Sequence, residues 1–273
     1  MRIGVVHVTT EEASGPYTKL ITATLDKAKA PGTEIVHRYV GHLRRATDTA
    51  IAYPTLLNKV DIVSEFVRLE RDGADAVLVA CSGDPGVAEA RSVVNIPVIG
   101  PLEATLGLAM GYGFKFGILT VDDRTWGSNM IQMVHAYGMA SRFVGIRQLH
   151  TPTAEIFTVG FQEPEPVVAD MKARGRELVA DGAEVILIGT AGVGTFATYF
   201  GFSNVGDPDV PVFDMTAIGL KFAELRVDLT QRLGVPPVSR AGWFAEFSAR
   251  DQERVNKLFQ PEAGTSGGPR AGA

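Results

Sequence analysis

The chain contains an internal duplication, and this repeat constrains its fold more than any other feature. Residues 72–81 read DGADAVLVAC and residues 181–190 read DGAEVILIGT, so the two segments match closely but differ at their last position. Each is followed by a second matched segment, IPVIGPLEATLGLA from Ile96 and VPVFDMTAIGLKFA from Val210. A repeat of roughly 110 residues is too long for a solenoid or a propeller. The duplication therefore predicts two pseudo-symmetric lobes that face each other across a cleft.

Short apolar segments alternate with helical patterns in both copies. The opening segment RIGVVHVT has its partner in KFGILTVD, which begins at Lys115, and both resemble buried parallel strands. Strands that alternate with helices predict the α/β class, with a mostly parallel sheet flanked by helices in each lobe.

A helix is predicted before the matched strand of each copy. The first helix is expected to end at Asp72-Gly73, and the second to begin at Pro166 and end at Asp181-Gly182. The residues expected to face the core are Ile62, Phe66 and Leu69 in the first helix, and Val168, Met171 and Leu178 in the second.

The matched strands carry the two residues that differ between the copies. The strands predicted at Ala76–Ala80 and Val185–Gly189 place Cys81 and Thr190 at their carboxyl ends. Ligands of parallel α/β sheets bind beyond these ends. We therefore expect the active site in the cleft, around Cys81 and Thr190.

The repeat also suggests a division of the chain. We expect a first α/β lobe over residues 1–110 and a second over residues 111–225. A C-terminal helical segment is expected over residues 226–260, with its helices free to cross back onto the first lobe. Residues 261–273 are rich in glycine, proline and alanine, which predicts a disordered tail.

Composition excludes several classes of function. The formal net charge is −5 without any basic run, which argues against nucleic acid as a partner. The sequence lacks the apolar run of about 18 residues that a membrane span needs. Its opening predicts a strand rather than a signal peptide, and its single cysteine cannot form an internal disulfide, so we expect a cytoplasmic protein. The five histidines show no metal-ligand spacing, and no metal site is expected.

Cys81 is the candidate for the reacting group. A cysteine at a strand-to-helix turn lies near backbone N–H groups and the positive end of a helix, and both are expected to lower its pKa. Such a thiolate can remove a proton from carbon or attack an electrophile. The small residues Ser82 and Gly83 would leave the backbone open to a ligand, and Asp84 is expected to cap the next helix.

Other polar or small residues follow the predicted strands and are candidates for binding substrate. These are His7, Thr9, Thr120, Ala191 and Gly192. Structural alternatives remain open, because Cys81 also fits an inert buried thiol and His7 fits a hydrogen-bonded structural residue.

The second copy also contains a glycine pattern that suggests a different function. Residues 192–197 read GVGTFA after a predicted strand, and Asp214 lies about twenty residues further on, as in dinucleotide-binding folds. The equivalent turn of the first copy has DPG instead, which favours a glycine-rich active-site turn.

The turn CSGDPG, Cys81–Gly86, resembles that of the aspartate/glutamate/hydantoin racemase superfamily, and the hydantoin and allantoin racemase branch is the most similar. The segment GILTVDDRTW, Gly117–Trp126, is similar to the start of the second lobe in that branch. The resemblance implies two pseudo-symmetric α/β lobes with the active site between them. It also implies one catalytic cysteine per lobe and no metal or organic cofactor.

The chain departs from the family pattern at two places. Thr190 stands where the second cysteine is expected, and His7-Val8-Thr9 replaces an Asn-Pro-Asn-like turn. A threonine hydroxyl does not titrate near neutral pH and cannot replace a thiol as acid or base. Thr190 is therefore expected to act as a polar partner of Cys81.

The expected function is a racemase or isomerase that acts at a carbon next to the carbonyl of a small carbonyl or carboxylate compound. The missing second cysteine keeps a single-thiol decarboxylase or lyase, or a maleate-type cis-trans isomerase, as an alternative. A non-catalytic small-molecule binding protein is the third possibility. The expected partners are a small-molecule substrate and further copies of the chain.

Overall fold

Strands and helices alternate along the part of the chain that the computed structural model describes, residues 1–206 and 209–259. The expected tail at 261–273 lies outside these residues. The first copy contains β1 (Arg2–His7), α1 (Glu11–Ala28), β2 (Glu34–Tyr39), α2 (Ala52–Arg71), β3 (Ala76–Val79), α3 (Val87–Ala90), β4 (Val98–Ile99) and α4 (Pro101–Ala109). The second contains β5 (Phe116–Thr120), α5 (Arg124–Ala136), β6 (Phe143–Gln148), α6 (Thr153–Ile156), α7 (Pro164–Ala180), β7 (Val185–Ile188), α8 (Ala191–Tyr199), β8 (Val212–Asp214) and α9 (Met215–Leu233), followed by α10 (Ala249–Phe259). Short 3-10 turns occupy Ala46–Ala50, Ala140–Arg142 and Val159–Phe161.

The strands of the described residues form two four-stranded sheets with the same topology. Their strand orders are β2-β1-β3-β4 and β6-β5-β7-β8, and every pair is parallel. Val6 of β1 pairs with Val79 of β3, and Leu119 of β5 pairs with Ile188 of β7. The predicted fold class, two related α/β lobes with parallel sheets, is therefore confirmed.

The two helices expected before the matched strands are present, but the second differs from the prediction in its first residue and in one buried residue. Ile62, Phe66 and Leu69 of α2 are buried as predicted, and Gly73 takes the left-handed conformation (φ +85°) that ends the helix. The second helix begins at Pro164 rather than Pro166, and Val167 replaces Val168 as the buried residue. Proline fits the first turn of a helix because its missing N–H would have no intrahelical partner there. The sequence offers two such prolines, and the earlier one starts the helix.

Helix α9 joins the two lobes. It follows the last strand of the second sheet, yet Leu220 and Val227 lie in one buried cluster with Val5 and Leu78 of the first sheet. Its approach to that sheet is close, since a Cβ at Gly219 would lie 2.8 Å from Leu78 Cδ1. The helix runs through residue 225, the expected end of the second lobe, and covers a face of the first sheet.

The segment after α9 returns to the first lobe. The Arg240 guanidinium donates hydrogen bonds to the carbonyl oxygens of Arg91 and Val94, at 2.7 and 2.8 Å, and to Asn95 Oδ1 at 2.6 Å. These contacts fix the segment around Arg240 beside α3. None of the described helices is long and apolar enough to cross a membrane.

Candidate active site

A cavity of about 330 Å³ lies at the carboxyl ends of β1 and β3 of one sheet and of β5 and β7 of the other. Helix α1 and the 3-10 turn at Ala46–Ala50 close its sides. The expected site residues that line it are His7, Thr9, Cys81, Ser82, Thr190, Ala191 and Gly192. The cavity thus brings together Cys81 and its counterpart in the second copy, Thr190.

Gly83 and Thr120 were expected to contact substrate, but they lie behind the cavity wall. A Cβ at Gly83 would be 3.1 Å from Cη2 of Trp126, so the indole covers this glycine, while its backbone N–H is hydrogen-bonded to the Cys81 thiol. Thr120 ends β5 with no exposed surface, and a Cβ at Gly189 would lie 3.5 Å from its Oγ1. Both residues therefore support the turns that form the cavity.

The Cys81 thiol has a raised pKa, so the expectation of a lowered value is wrong. Burial raises the pKa to about 12, the Gly83 N–H lowers it by less, and the charge of Asp84 raises it further. The helix after the turn has only four residues and begins at Val87, so it contributes little positive potential. Desolvation of the thiolate outweighs the favourable turn geometry.

Asp84 caps a different helix from the one expected. Its carboxylate accepts hydrogen bonds from the backbone N–H groups of Leu102 and Glu103, at 2.9 and 2.8 Å, and from the Tyr137 hydroxyl at 2.8 Å. It therefore caps α4, whereas Gly86 precedes α3 without a side-chain cap. Burial raises the pKa of this carboxyl to about 7, and the three hydrogen bonds oppose that shift.

The second lobe also has a buried carboxylate that caps a helix, but this carboxylate comes from a different position in the repeat. Asp214 Oδ1 accepts from the Thr216 N–H at 2.9 Å and caps α9, and burial raises the pKa of Asp214 to about 6. In the matched segments Asp214 occupies the place of Gly100. A Cβ at Gly100 would lie 2.5 Å from Asp84 Cγ, and one at Gly194 would lie 2.8 Å from Asp214 Oδ1. Each lobe thus packs an aspartate carboxylate against a glycine at this junction, and the aspartate follows the first matched strand in one lobe and ends the second matched strand in the other.

His7 both lines the cavity and forms a hydrogen bond behind it. Its Nε2 lies 2.9 Å from Nδ1 of His37, and its ring stacks on Tyr39 with centroids 4.5 Å apart. Burial, and then the nearby His37, lowers the pKa of His7 to about 3, so the ring is neutral at neutral pH. Its Nδ1 is buried and has no hydrogen-bond partner among the described residues.

Tyr17 and Trp126 are cavity residues that sequence reasoning missed. The Tyr17 hydroxyl is buried without a partner among the described residues, and burial, Asp214 and Cys81 raise its pKa. It lies on α1 directly after Gly15-Pro16, a dipeptide typical of a turn, and Gly15 is a non-helical residue (φ +34°) inside that helix. The Trp126 indole N–H donates to the Gly189 carbonyl at 2.6 Å. Asp123 before it caps α5, a signal that could have placed Trp126 at the cavity.

Most polar groups around the cavity are uncharged. The residues lining it, all from the described part of the chain, include no lysine or arginine. Their one carboxylate, Asp123, already accepts from two N–H groups of α5. Four buried polar atoms of the lining lack a protein partner: His7 Nδ1, Tyr17 Oη, Ser82 Oγ and Thr190 Oγ1. Such a set is suited to a small neutral ligand that offers both donors and acceptors, because each unpaired buried group costs about 1–3 kcal/mol.

The glycine pattern of the second copy is explained by packing. A Cβ at Gly192 would lie 2.5 Å from Phe157 Cζ, and Gly194 makes room for Asp214. The Asp214 carboxylate accepts from its own helix and from Thr198, so it is not directed at a ribose. These contacts argue against the dinucleotide alternative. Within the described residues, no group of three histidine, cysteine, aspartate or glutamate side chains could hold a metal ion.

Residues 3–223 match the family described as Asp/Glu/Hydantoin racemase. A hydantoin racemase of Pseudomonas sp. (strain NS671) is 34% identical over 183 residues, which cover 66% of this chain and 69% of that relative.

Two solved structures share the fold over almost its full extent. The allantoin racemase from Klebsiella pneumoniae has a TM-score of 0.74 and 25% sequence identity, with 91% of this chain and 94% of that chain covered. The allantoin racemase from Pseudomonas fluorescens has a TM-score of 0.70 and 23% identity, with 90% and 97% covered. Fold and relatives together define an enzyme of the isomerase class. The chain belongs to the Asp/Glu/hydantoin racemase family.

Proposed function

We propose that the chain is a cofactor-independent racemase of the hydantoin type, with Cys81 as its thiol base. The substrate is a small, uncharged cyclic amide with a hydrogen-bearing carbon next to a carbonyl group. The proposal is supported by the relatives named hydantoin racemase and allantoin racemase.

The observation that carries the proposal is that no lysine or arginine lies among the described residues that line the cavity. A carboxylate substrate would be desolvated in a site whose described lining offers no lysine or arginine to pair with it. A cyclic amide has N–H and C=O groups but no formal charge. It can satisfy the free polar atoms of Tyr17, Ser82 and Thr190 without a charge being buried.

The Cys81 thiol first gives its proton to solvent, since only the thiolate is a base. The thiolate removes the proton from the substrate carbon, and the electron pair of that C–H bond moves to the carbonyl as an enolate. The Tyr17 hydroxyl and backbone N–H groups of the turn are suited to stabilise the enolate oxygen. Delivery of a proton to the opposite face completes the inversion, and the electron pair returns to carbon.

A second candidate function, a single-thiol decarboxylase or lyase, is favoured by Thr190. Thr190 lines the cavity where a second acid–base group would be needed, and its hydroxyl does not titrate near neutral pH. A reaction with proton transfer on only one face of the substrate needs no acid–base group besides Cys81. In that reaction, too, Thr190 would act as a hydrogen-bond donor.

A panel of substrates in deuterated buffer separates these functions. Hydantoins, N-carbamoyl amino acids, maleate and aryl malonates are incubated with the wild type and with Cys81→Ser, and optical rotation, deuterium content and released carbon dioxide are measured. The proposal expects hydantoins to racemise with deuterium uptake after EDTA treatment and dialysis, and Cys81→Ser to be inactive. Carbon dioxide release would support the decarboxylase, and binding without turnover of any compound would support a binding protein.

A further inference from the structure

His7 and His37 connect the cavity to the outer surface of the first lobe. His7 lines the cavity, and its Nε2 lies 2.9 Å from His37 Nδ1. His37, in the edge strand β2, borders a separate open depression of about 540 Å³ together with Glu11, Arg38 and Tyr39. A continuous path of two imidazole rings therefore runs from the cleft to the outside.

The surrounding rings hold His7 in one orientation. Tyr39 stacks on it with an interplanar angle of 12°, and Tyr17 contacts it edge-on at a centroid distance of 6.1 Å. With Nε2 fixed on His37, the other ring nitrogen has no partner among the described residues. His7 is 1% exposed, so this unpaired nitrogen belongs to a fully buried side chain that forms part of the cavity wall.

The hydrogen bond between the two rings permits two neutral arrangements. In the first, His7 Nε2–H donates to His37 Nδ1, and His7 Nδ1 has a free electron pair that can accept a proton. In the second, His37 Nδ1–H donates to His7 Nε2, and His7 Nδ1 holds a proton that it can donate. A proton accepted at His7 Nδ1 moves the shared proton to His37, which releases another from its Nε2 and leaves both rings neutral.

A relay of this kind suits a site that does not tolerate a charged imidazole. Burial lowers the pKa of both rings, and for His37 the charge of Asp26 opposes this shift. Simple protonation of His7 would leave a buried cation, whereas transfer through the pair leaves none. The titratable and charged groups around the pair are Tyr17, Asp26 and Glu11 of α1, Arg38 and Tyr39 of β2, Glu65, Arg68 and Arg71 of α2, and Asp72 directly after α2.

We propose that His7 and His37 form a two-imidazole proton relay. His7 is then the second acid–base group of the reaction, a role that the non-titrating hydroxyl of Thr190 cannot fill. The acid–base role rests on the proposed racemase function. In one direction Cys81 takes the carbon-bound proton and His7 Nδ1–H supplies the replacement, which solvent restores through His37. In the other direction His7 Nδ1 accepts the proton and the Cys81 thiol supplies one.

The first test is chemical rescue of His37→Gly, whose gap opens toward the depression. We expect kcat for hydantoin racemisation to fall at least about tenfold with KM nearly unchanged, and added imidazole to restore it. Pyrrole has the same size but no free electron pair, so it should not restore the rate. His135→Gln, a change at an exposed histidine at the end of α5, is the matched control and should keep wild-type activity. An unchanged kcat in His37→Gly, or equal rescue by pyrrole, would overturn the relay.

The second test needs no turnover and uses ¹⁵N-histidine-labelled protein. The relay predicts a neutral His7 ring from pH 5 to 8 and, wherever His37 is also neutral, ¹⁵N shifts of His7 Nε2 and His37 Nδ1 that are averaged between protonated and unprotonated values. Single fixed tautomers, or a His7 imidazolium in this range, would contradict it. Averaged shifts in a protein that racemises nothing would leave the relay standing and refute the racemase function.

Discussion

The thiol of Cys81 lies in a turn whose N–H groups favour a thiolate, yet burial raises its pKa to about 12. Burial also favours the neutral form of His7, and because the imidazole is a base, its pKa is lowered, to about 3. At the scale of single residues, desolvation keeps both groups neutral. A neutral thiol and a neutral imidazole are compatible with the mainly apolar lining of the cavity.

Alkylation of Cys81 reports directly on its raised pKa. Because the thiolate is the reacting form, the rate of inactivation by iodoacetamide should be low at pH 7 and rise about tenfold per pH unit up to about pH 10. The chain has a single cysteine, so mass spectrometry of Cys81→Ser should show no alkylation. Fast alkylation that does not change between pH 6 and 9 would mean that the thiol is already ionised.

Thr190 supplies a hydroxyl that makes no helix-capping hydrogen bond. Thr190→Val keeps the shape but removes the donor, so kcat/KM should fall by roughly 5- to 150-fold, corresponding to about 1–3 kcal/mol. Stability in urea should not fall, because no protein partner is lost. The control is Thr158→Val at an exposed site, which should leave kcat/KM unchanged. Thr190→Cys should raise the rate of racemisation. Wild-type kinetics in both Thr190→Val and Thr190→Cys would refute this role.

At the scale of elements, an aspartate–glycine contact holds the turn after β3 and another holds the turn after β7. Asp84 reaches over Gly100 to cap α4, whereas Asp214 caps α9 beside Gly194. The same junction is therefore built by different residues in the two copies. In the first lobe the capping carboxylate comes from the turn that contains Cys81, which couples the position of the thiol to the start of α4.

Gly100→Ala tests this junction. The added methyl would lie 2.5 Å from Asp84 Cγ, so the free energy of unfolding should fall by about 1–3 kcal/mol in urea denaturation. Gly107→Ala in the same helix is the matched control, because nothing lies within 4 Å of its added Cβ. That control should be neutral or stabilising, since alanine has the higher helix propensity. Equal effects of the two substitutions would show that Asp84 does not fill the space above Gly100.

The sequence placed Cys81 and Thr190 at one cavity because the carboxyl ends of matched parallel strands meet at corresponding edges. It did not place Tyr17, since Gly15-Pro16 resembles a turn and conceals the helix that positions it. Asp84 was assigned to the wrong helix because its partners lie eighteen and nineteen residues further along the chain. Local patterns thus predicted the strand ends, while contacts distant in sequence and the effect of burial on pKa required the three-dimensional structure.

At the scale of the whole molecule, the two copies form one cleft and are joined by a helix that packs on the other lobe. Helix α9 leaves the second sheet and packs on the first, so residues of both lobes share one core. The cavity where the sheets meet has a mainly apolar lining from both copies, with a few polar side chains and no lysine or arginine among the described residues. This joint construction fits a small neutral substrate held between Cys81 of one lobe and Thr190 of the other.

Deuterium uptake at the stereocentre of a hydantoin is the most direct test of Cys81 as the base of a racemase. Each enantiomer is incubated separately in deuterated buffer with the wild type, and ¹H NMR follows the loss of the carbon-bound proton while optical rotation follows inversion. The account predicts loss of the proton signal with racemisation from both enantiomers, at least about 100-fold faster than in Cys81→Ser. Equal exchange by Cys81→Ser, or no exchange above buffer by the wild type, would contradict it.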